Sequence, residues 1–202
     1  MTAGVSKRAR LICVDWGTTN LRAYAIAGDG TVIDQAQSGA GLRSNPADYS
    51  DCLATMIGPW LDQESPINTL LSGMVGSPTG WQEVPHVVSP AALPQLAAKA
   101  TLVAQLHDHP VWIVPGVMGT GMSGLPDVMR GEETQFFGAR RLCADQYARQ
   151  PDIWCFPGTH NKWIPSGENI DHFSTTMVGE FFELIQEHSL LAQSLDQSVS
   201  AN

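Results

Sequence analysis

The sequence has few basic residues and few cysteines. Its 202 residues include 11 Lys and Arg against 20 Asp and Glu, a net charge of -9. That balance repels polyanions and leaves no basic stripe for a nucleic-acid backbone, so we expect no nucleic-acid partner. The four cysteines, Cys13, Cys52, Cys143 and Cys155, are far apart and include no C-x-x-C pair. This spacing excludes a disulfide framework and a structural zinc site.

Long hydrophobic runs are also missing. Asp15 ends the first apolar stretch after four residues, which is too short for a signal-peptide core or a membrane span. With 43% hydrophobic residues the chain has the composition of a globular protein. We therefore expect a cytoplasmic protein with no membrane partner.

Common nucleotide-binding and hydrolase motifs are absent. The sequence has no G-x-x-x-x-G-K-[ST] and no G-x-G-x-x-G that opens a helix after a strand. The segment 121–125 misses the G-x-S-x-G pattern at its last position, and no helical H-E-x-x-H occurs. These absences exclude a P-loop enzyme and leave no recognised hydrolase motif.

Apolar strands alternate with helices along the chain. This alternation predicts an α/β fold with a mixed or parallel sheet covered on both faces. We expect a three-stranded meander first, and then a lobe boundary in the polar run 145–152. The predicted strands are 11–14, 21–27, 31–36, 68–75, 111–114 and 153–156; the predicted helices are 49–61, 90–106, one ending near 147, and 176–192. The segments 107–110 and 115–126 are predicted as a solvated loop and a long Gly-rich loop.

A Gly-Thr turn follows the first strand. Asp15 ends that strand, and Gly17, Thr18, Thr19 and Asn20 follow it. Glycine lets the backbone approach a ligand, and the Thr hydroxyls and successive N–H groups can face phosphate oxygens. The Asp15 carboxylate could hold a hydrated Mg²⁺ as its metal ligand. The alternative is an ordinary β-turn with an Asx cap.

A second turn has the same architecture without residue-by-residue repetition. It contains Gly158, Thr159, His160, Asn161 and Lys162, and the lysine brings a positive charge that the first turn lacks. Together the two turns could clasp a triphosphate tail from both sides, since phosphoryl transfer depends mainly on positioning and charge neutralisation. The alternative is an ordinary hairpin with a solvated lysine.

Two adjacent carboxylates, Glu132 and Glu133, follow the Gly-rich loop at a predicted helix start. One could accept a proton from a substrate hydroxyl. Because neighbouring residues on a helix face different directions, at most one would point into the site while the other caps the helix. The alternative is that both are N-terminal helix carboxylates.

Several residues are candidates for substrate binding. Arg22 and Arg130 could each bind a carboxylate through two hydrogen bonds, although most arginines are surface charges. A tight strand end beside an aromatic ring is typical of sugar sites, and here it comprises Gly73, Met74, Gly76 and Trp81. The alternative is a close-packed strand end with a core tryptophan.

Four segments in this order closely resemble the 2-dehydro-3-deoxygalactonokinase family. They are 15–22, 72–77 with Gly80-Trp81, 129–135 and 157–163. The resemblance implies an α/β, actin-like ATPase (ribonuclease H-like) two-lobed fold. It also implies ATP-dependent phosphorylation of 2-dehydro-3-deoxy-D-galactonate to its 6-phosphate in galactonate catabolism, with Mg²⁺ as the metal. The implied partners are the sugar acid and ATP.

The resemblance also implies roles for individual residues. Asp15 to Asn20 match the first phosphate segment and Gly158 to Lys162 match the second. Glu132 matches the catalytic base of related sugar kinases, with Glu133 as the alternative. Asn161 departs from the family pattern, in which serine is more usual, so a hydroxyl-specific contact is not expected there.

Family members usually continue beyond this length, so we expect a truncated reading frame. The predicted domains are 1–148, a complete N-terminal sugar-binding lobe, and 149–202, the start of a nucleotide-binding lobe. A partial lobe would expose a sheet edge and an apolar helix face, which favours homodimer formation or aggregation. The alternatives to a kinase are a non-catalytic sugar-acid-binding remnant and an actin-like nucleotide or polyphosphate hydrolase.

Overall fold

The computed structural model describes residues 8–44, 48–61 and 65–190. The strands are β1 (Ala9–Trp16), β2 (Leu21–Ala27), β3 (Val32–Ser38), β4 (Asn68–Ser72), β5 (Val87–Val88), β6 (Thr101–Leu106), β7 (His109–Ile113), β8 (Val117–Thr120), β9 (Pro126–Met129), β10 (Ile153–Phe156), β11 (Asn161–Pro165) and β12 (Ser174–Thr176). The α-helices are α1 (Tyr49–Leu61), α2 (Leu93–Ala98), α3 (Glu132–Gln146) and α4 (Val178–His188).

A six-stranded mixed sheet forms the first half of the molecule. Its strand order is β3-β2-β1-β4-β7-β6. β1 runs antiparallel to β2 and parallel to β4, and the register sets Asp15 beside Arg22 on one side and Ser72 on the other. Alternate residues of β2 are buried, as expected for a strand that packs on a core. The predicted meander, the mixed sheet and the helix over residues 49–61 are confirmed.

The helix predicted over residues 90–106 is wrong for most of its length. Helix α2 covers only Leu93–Ala98, and the chain then returns as β6, antiparallel to β7. His107 has a φ of 55°, a left-handed conformation that forms the turn of this hairpin. The β-branched Thr101 and Val103 also favour a strand once a neighbouring strand is available.

The segments 107–110 and 115–126 are also corrected. His109 is 6% exposed rather than solvated, and its Nδ1 accepts the Ile67 N–H at 3.0 Å. Its ring, at the start of β7, therefore satisfies a backbone donor that lies just before β4. The predicted Gly-rich loop contains β8, which pairs in parallel with β5 and antiparallel with β9.

A second hydrophobic cluster joins the two smaller sheets, which have the orders β5-β8-β9 and β10-β11-β12. Phe136 of α3 is fully buried in it together with Ile164 and Phe173. The cluster takes residues from both sides of position 148. The domain division at that position stays a prediction.

Helix α4 lies in the predicted 176–192 segment, of which residues 191 and 192 are outside the described residues. It buries none of its side chains, and Phe181 and Phe182 are 59% and 60% exposed. The expected exposed apolar helix face is therefore present. In the described part of the chain, no helix is long and apolar enough to cross a membrane.

Candidate active site

A cleft of about 490 Å³ brings the two Gly-Thr turns together. Most of the predicted site residues line it, although they come from segments far apart in the chain. Those lining it are Asp15, Gly17, Thr18, Gly73, Met74, Arg130, Glu132, Gly158, Thr159, His160 and Lys162. The cleft lies where the end of β1, the start of α3 and the β10–β11 turn meet.

Asp15 is placed in the cleft by the end of β1. The Arg22 guanidinium lies 3.4 Å from its carboxylate across the β1–β2 pair. Burial raises the pKa of Asp15, and the charge of Arg22 and its hydrogen bond partly oppose that rise. Arg22 does not line the cleft, so in this structure it contacts the acidic group rather than the space for a ligand.

The backbone of the first turn is held by its carbonyl groups. The Gly17 N–H donates to the Asn20 carbonyl at 2.9 Å, and the carbonyls of Gly17, Thr18 and Thr19 accept N–H groups from residues 41–43. In the described residues, the N–H groups of Thr18 and Thr19 have no protein acceptor. These free donors are suited to binding an anion.

Two glycines bring the start of α3 close to the end of β1. Gly73 has a φ of 95°, and a Cβ there would lie 2.8 Å from the Trp16 carbonyl oxygen. Gly131 has a φ of 110° and would place a Cβ 3.4 Å from the Gly73 Cα. Positive φ and close backbone approach both favour glycine. The approach delivers Glu132 to the cleft that contains Asp15.

Glu132 is the cleft-lining carboxyl of the adjacent pair. Its Oε2 is buried and has no hydrogen-bond partner among the described residues. Burial raises the pKa of Glu132; nearby backbone amides and the Lys162 charge lower it, and the Asp15 charge raises it. An increased affinity for protons suits a carboxyl to act as a general base.

Glu133 has a different environment. It is completely buried, and the Gly131 N–H donates to both of its carboxyl oxygens at 2.9 and 2.8 Å. Burial raises its pKa to about 8. Glu132 lines the cleft and Glu133 does not. The two adjacent side chains therefore point in different directions, as expected for neighbours on a helix.

The second turn is held against the start of α4. The Gly158 N–H donates to Asn161 Oδ1 at 3.1 Å, and the Glu180 N–H donates to the Thr159 carbonyl at 3.0 Å. His160 Nε2 lies 2.7 Å from a Glu180 carboxyl oxygen. The Asn161 side chain therefore braces the turn and does not line the cleft.

Lys162 is buried rather than solvated, with 6% of its surface exposed. Its Nζ donates to the Val128 carbonyl at 2.8 Å and to Thr175 Oγ1 at 2.6 Å. The alternative of a solvated hairpin lysine is therefore wrong. The ammonium group is fixed at the wall of the cleft.

Some of the predicted site residues lie elsewhere. Thr19, Asn20, Arg22, Gly76, Trp81, Glu133 and Asn161 do not line the cleft. The Trp81 ring stacks on Tyr49 with ring centroids 5.9 Å apart and also contacts Trp16. A Cβ at Gly76 would lie 3.2 Å from Arg130 Nη1, so this glycine makes room for the arginine.

The cleft also has lining residues that sequence reasoning missed: Ser77, Pro78, His86, Val128 and Met129. Arg130 Nη2 donates to the Val84 carbonyl at 2.7 Å and lies 3.5 Å from His86 Nδ1. Burial, together with the Arg130 charge, lowers the pKa of His86. Ser77 and Met129 lie inside the quoted segments 72–77 and 129–135, and Pro78 and Val128 flank them, so all four could have been found from those motifs. No motif marks His86.

The carboxylates of the cleft determine what kind of Mg²⁺ site it could form. No group of three or more His, Cys, Asp or Glu residues in the described ranges is arranged to hold a metal ion. Mg²⁺ keeps several waters and usually takes one or two protein carboxylates together with substrate phosphates. Asp15, with Glu132 in the same cleft, fits that kind of site and does not fit an all-protein cage.

The fold and cleft define an α/β protein in which two Gly-Thr turns line one cleft. A sequence model of the 2-keto-3-deoxy-galactonokinase family matches residues 15–202. The chain belongs to this family, which confirms the resemblance.

The relatives agree with this assignment. The chain is 36% identical over 189 residues to 2-dehydro-3-deoxygalactonokinase of Escherichia coli (strain K12), covering 93% of this chain and 60% of that protein. It is 33% identical to "Probable 2-dehydro-3-deoxygalactonokinase DgoK1" of Rhizobium meliloti (strain 1021), covering 92% of this chain and 59% of that protein. The chain thus spans about 60% of the length of these relatives.

A solved structure is also similar. It is the crystal structure of a Sinorhizobium meliloti protein assigned as a 2-dehydro-3-deoxygalactonokinase. The TM-score is 0.78 at 31% sequence identity, and the match covers 93% of this chain and 60% of that one. The likeness therefore extends over nearly the whole chain.

Proposed function

We propose that this chain carries the sugar-acid and phosphate-binding parts of a 2-dehydro-3-deoxygalactonokinase. The reaction would transfer the terminal phosphoryl group of ATP to 2-dehydro-3-deoxy-D-galactonate and form its 6-phosphate. Family membership supports the reaction class. The observation that carries the proposal is that Glu132 lines one cleft with both Gly-Thr turns.

In the proposed mechanism, Glu132 accepts the proton of the substrate's terminal hydroxyl. That oxygen forms a bond to the terminal phosphorus of ATP as the bond to the ADP oxygen breaks, so ADP leaves with the electron pair. The raised pKa of Glu132 suits it to this proton transfer. The neighbouring Glu133 is held in hydrogen bonds to Gly131 and serves the helix start.

Phosphate binding is assigned to the two turns. The free N–H group of Thr18 would donate to a phosphoryl oxygen from one side, and the Gly158–Thr159 backbone and Lys162 would face it from the other. Asp15 would hold a hydrated Mg²⁺, and the ion would supply charge neutralisation when bound. Preorganised donors of this kind stabilise developing charge without reorganisation.

The sugar acid is assigned to the side of the cleft near β4 and α3. Arg130 brings a guanidinium to this wall, and Gly73 and Met74 bring a close backbone. An arginine suits a carboxylate because it can donate two parallel hydrogen bonds. We place the sugar-binding lobe in residues 1–148 and the start of the nucleotide lobe in 149–202, in an actin-like arrangement that closes to exclude water.

The test uses the 202-residue chain with ATP, Mg²⁺ and 2-dehydro-3-deoxygalactonate, and measures sugar phosphate by mass spectrometry. We expect product, and we expect Glu132→Gln to lower kcat by about 100-fold or more. Glu133→Gln, the matched neighbour, should retain far more activity. Undiminished activity in Glu132→Gln would remove the base assignment.

Two other outcomes would replace the kinase proposal. Calorimetric binding of the sugar acid without binding of ATP would identify a non-catalytic sugar-acid-binding chain. Phosphate release from ATP or polyphosphate in the absence of sugar acid would identify a hydrolase.

A further inference from the structure

A polar network anchors the buried ammonium group of Lys162. Lys162 Nζ donates to Thr175 Oγ1 at 2.6 Å, and Thr175 Oγ1 donates to Asp127 Oδ1 at 2.6 Å. The Thr175 N–H also donates to Asp127 Oδ2 at 2.7 Å, and the Val128 N–H donates to Asp127 Oδ1 at 2.8 Å. The network thus ties β9 of one sheet to β11 and β12 of another.

The direction of each hydrogen bond in the network is determined. An ionised carboxylate only accepts hydrogen bonds, so the single hydroxyl hydrogen of Thr175 is committed to Asp127. The lone pairs of the hydroxyl oxygen therefore face Lys162. Two of the three ammonium hydrogens are used by Thr175 and by the Val128 carbonyl. The third remains for a group in the cleft that Lys162 lines.

Lys162 also has no direct ion-pair partner. Among the described residues, no carboxylate forms an ion pair with its ammonium group, although its charge acts on the nearby Glu132. A buried charge without a directly bonded counter-charge is costly, and the cost is relieved when an anion binds. Asp127 is half-buried and reaches the lysine only through Thr175, so the positive charge remains available to a ligand.

We propose that Asp127 and Thr175 are positioning residues that hold Lys162 in the cleft as a binding group for a phosphoryl oxygen. This inference deepens the proposed function and rests on it for the identity of the phosphate as that of a nucleotide. It assigns roles to two residues that lie outside the four motif segments quoted from the sequence. Neither touches the cleft itself; both act through the lysine.

The first experiment measures how firmly Lys162 is held. The chain has three lysines, Lys7, Lys99 and Lys162. Reductive methylation followed by peptide mass spectrometry gives the rate at Lys162 relative to the exposed Lys99. We expect Thr175→Val to raise this ratio by about fivefold or more, since the hydroxyl acceptor is lost while the β-branched shape is kept. Thr175→Ser should restore the wild-type ratio.

The matched control is Thr176→Val. Thr176 is the next residue of β12, and its Oγ1 accepts the Trp163 Nε1–H at 2.9 Å, so it makes the same kind of bond away from Lys162. In Thr176→Val, the methylation rate at Lys162 relative to Lys99 should equal that of the wild type. Asp127→Asn is a second variant of unchanged size and should raise the ratio less than Thr175→Val. An unchanged ratio in both Thr175→Val and Asp127→Asn would overturn the positioning role.

The second experiment tests the ligand with inorganic triphosphate. Triphosphate should slow methylation of Lys162 and not of Lys99, and calorimetry should show about tenfold weaker triphosphate binding by Thr175→Val than by Thr176→Val. A rate at Lys162 that triphosphate leaves unchanged would overturn the inference. Neither readout uses sugar phosphorylation. If triphosphate slows methylation of Lys162 but the chain has no kinase activity, only the proposed function is removed. If the chain has normal kinase activity but triphosphate does not slow methylation of Lys162, only this inference is removed.

Discussion

The turn at residues 17–20 and the turn at 157–160 both connect antiparallel strands, but different bonds hold them. In the first, three consecutive carbonyls accept N–H groups from residues 41–43. In the second, side chains contribute more: Asn161 accepts the Gly158 N–H, and His160 pairs with Glu180. The first turn also belongs to a six-stranded sheet, whereas the second belongs to a three-stranded one.

This difference shows that two turns with the same Gly-Thr motif can differ in stability. The His160 and Glu180 side chains are 47% and 39% exposed, and polar contacts between exposed side chains contribute little. Helix α4, which the second turn contacts, buries none of its residues. Because helix stability in proteins comes mainly from packing, we expect the second turn to open more readily than the first.

The largest expected effect is at Gly41, beside the first turn. A methyl group there would overlap the Thr19 carbonyl carbon and the Thr18 carbonyl oxygen, which are backbone atoms. Gly41→Ala should destabilise the protein by about 3 kcal/mol and lower the thermal midpoint by about 10 °C. Circular dichroism during heating measures it. Gly39→Ala is the control, because nothing lies within 4 Å of its Cβ position. Equal midpoints for the two variants would contradict the rigid first turn.

A smaller effect concerns Glu133, at the helix start that packs on Gly73 beside the first turn. Its pKa is about 8 in the folded protein against 4.5 for the free side chain. The folded state therefore holds a proton that the unfolded state has released, and the resulting stability is present below pH 4.5 and is lost as the pH rises toward about 8.

The thermal midpoint should accordingly fall between pH 5 and pH 8 by about 8 °C more in the wild type than in Glu133→Gln. Thermal unfolding at both pH values measures this difference. Glu168→Gln, which changes an exposed glutamate, should keep the wild-type dependence. If the thermal midpoint of Glu133→Gln fell as much between pH 5 and pH 8 as that of the wild type, the Glu133 carboxyl would be ionised in the folded protein.

The smallest global effect is expected at the second turn. A methyl group on Gly179 would overlap the Gly158 carbonyl oxygen, so Gly179→Ala should separate α4 from the turn. Hydrogen exchange should show the Glu180 amide exchanging about tenfold faster or more, with the global midpoint nearly unchanged. Gly138→Ala in α3 is the control, since its Cβ position is open. A midpoint loss as large as that of Gly41→Ala would show that the two turns are equally important for stability.

Local patterns predicted much of this architecture. The alternation in β2 and the helical spacing of α1 are local signals, and both elements form where they were predicted. The helix over 90–106 failed because β6 depends on pairing with β7, a partner that helical periodicity does not register. His109 was misjudged for the same reason, since the backbone donor that it satisfies is at Ile67.

The candidate site also contains some residues that the local sequence revealed and others that only the tertiary structure revealed. The residue types of both turns and of the adjacent glutamates were visible in the sequence, and most of them line one cleft. His86 was not visible, since it reaches the cleft through its position beside Arg130. Trp81 was visible as an aromatic ring beside a tight strand end, but it stacks on Tyr49 instead of lining the cleft.

The sequence by itself determined the family, the α/β class and the two Gly-Thr turns, because these depend on motif order and local periodicity. Only the tertiary structure decided which glutamate lines the cleft, since the positive φ of Gly131 and the close approach at Gly73 set the start of α3. It also decided that Lys162 is buried and anchored by Thr175. The bonds from Lys162 to Val128 and from Thr175 to Asp127 join strands of different sheets, and a side chain's partner across sheets is not encoded in its neighbours along the chain.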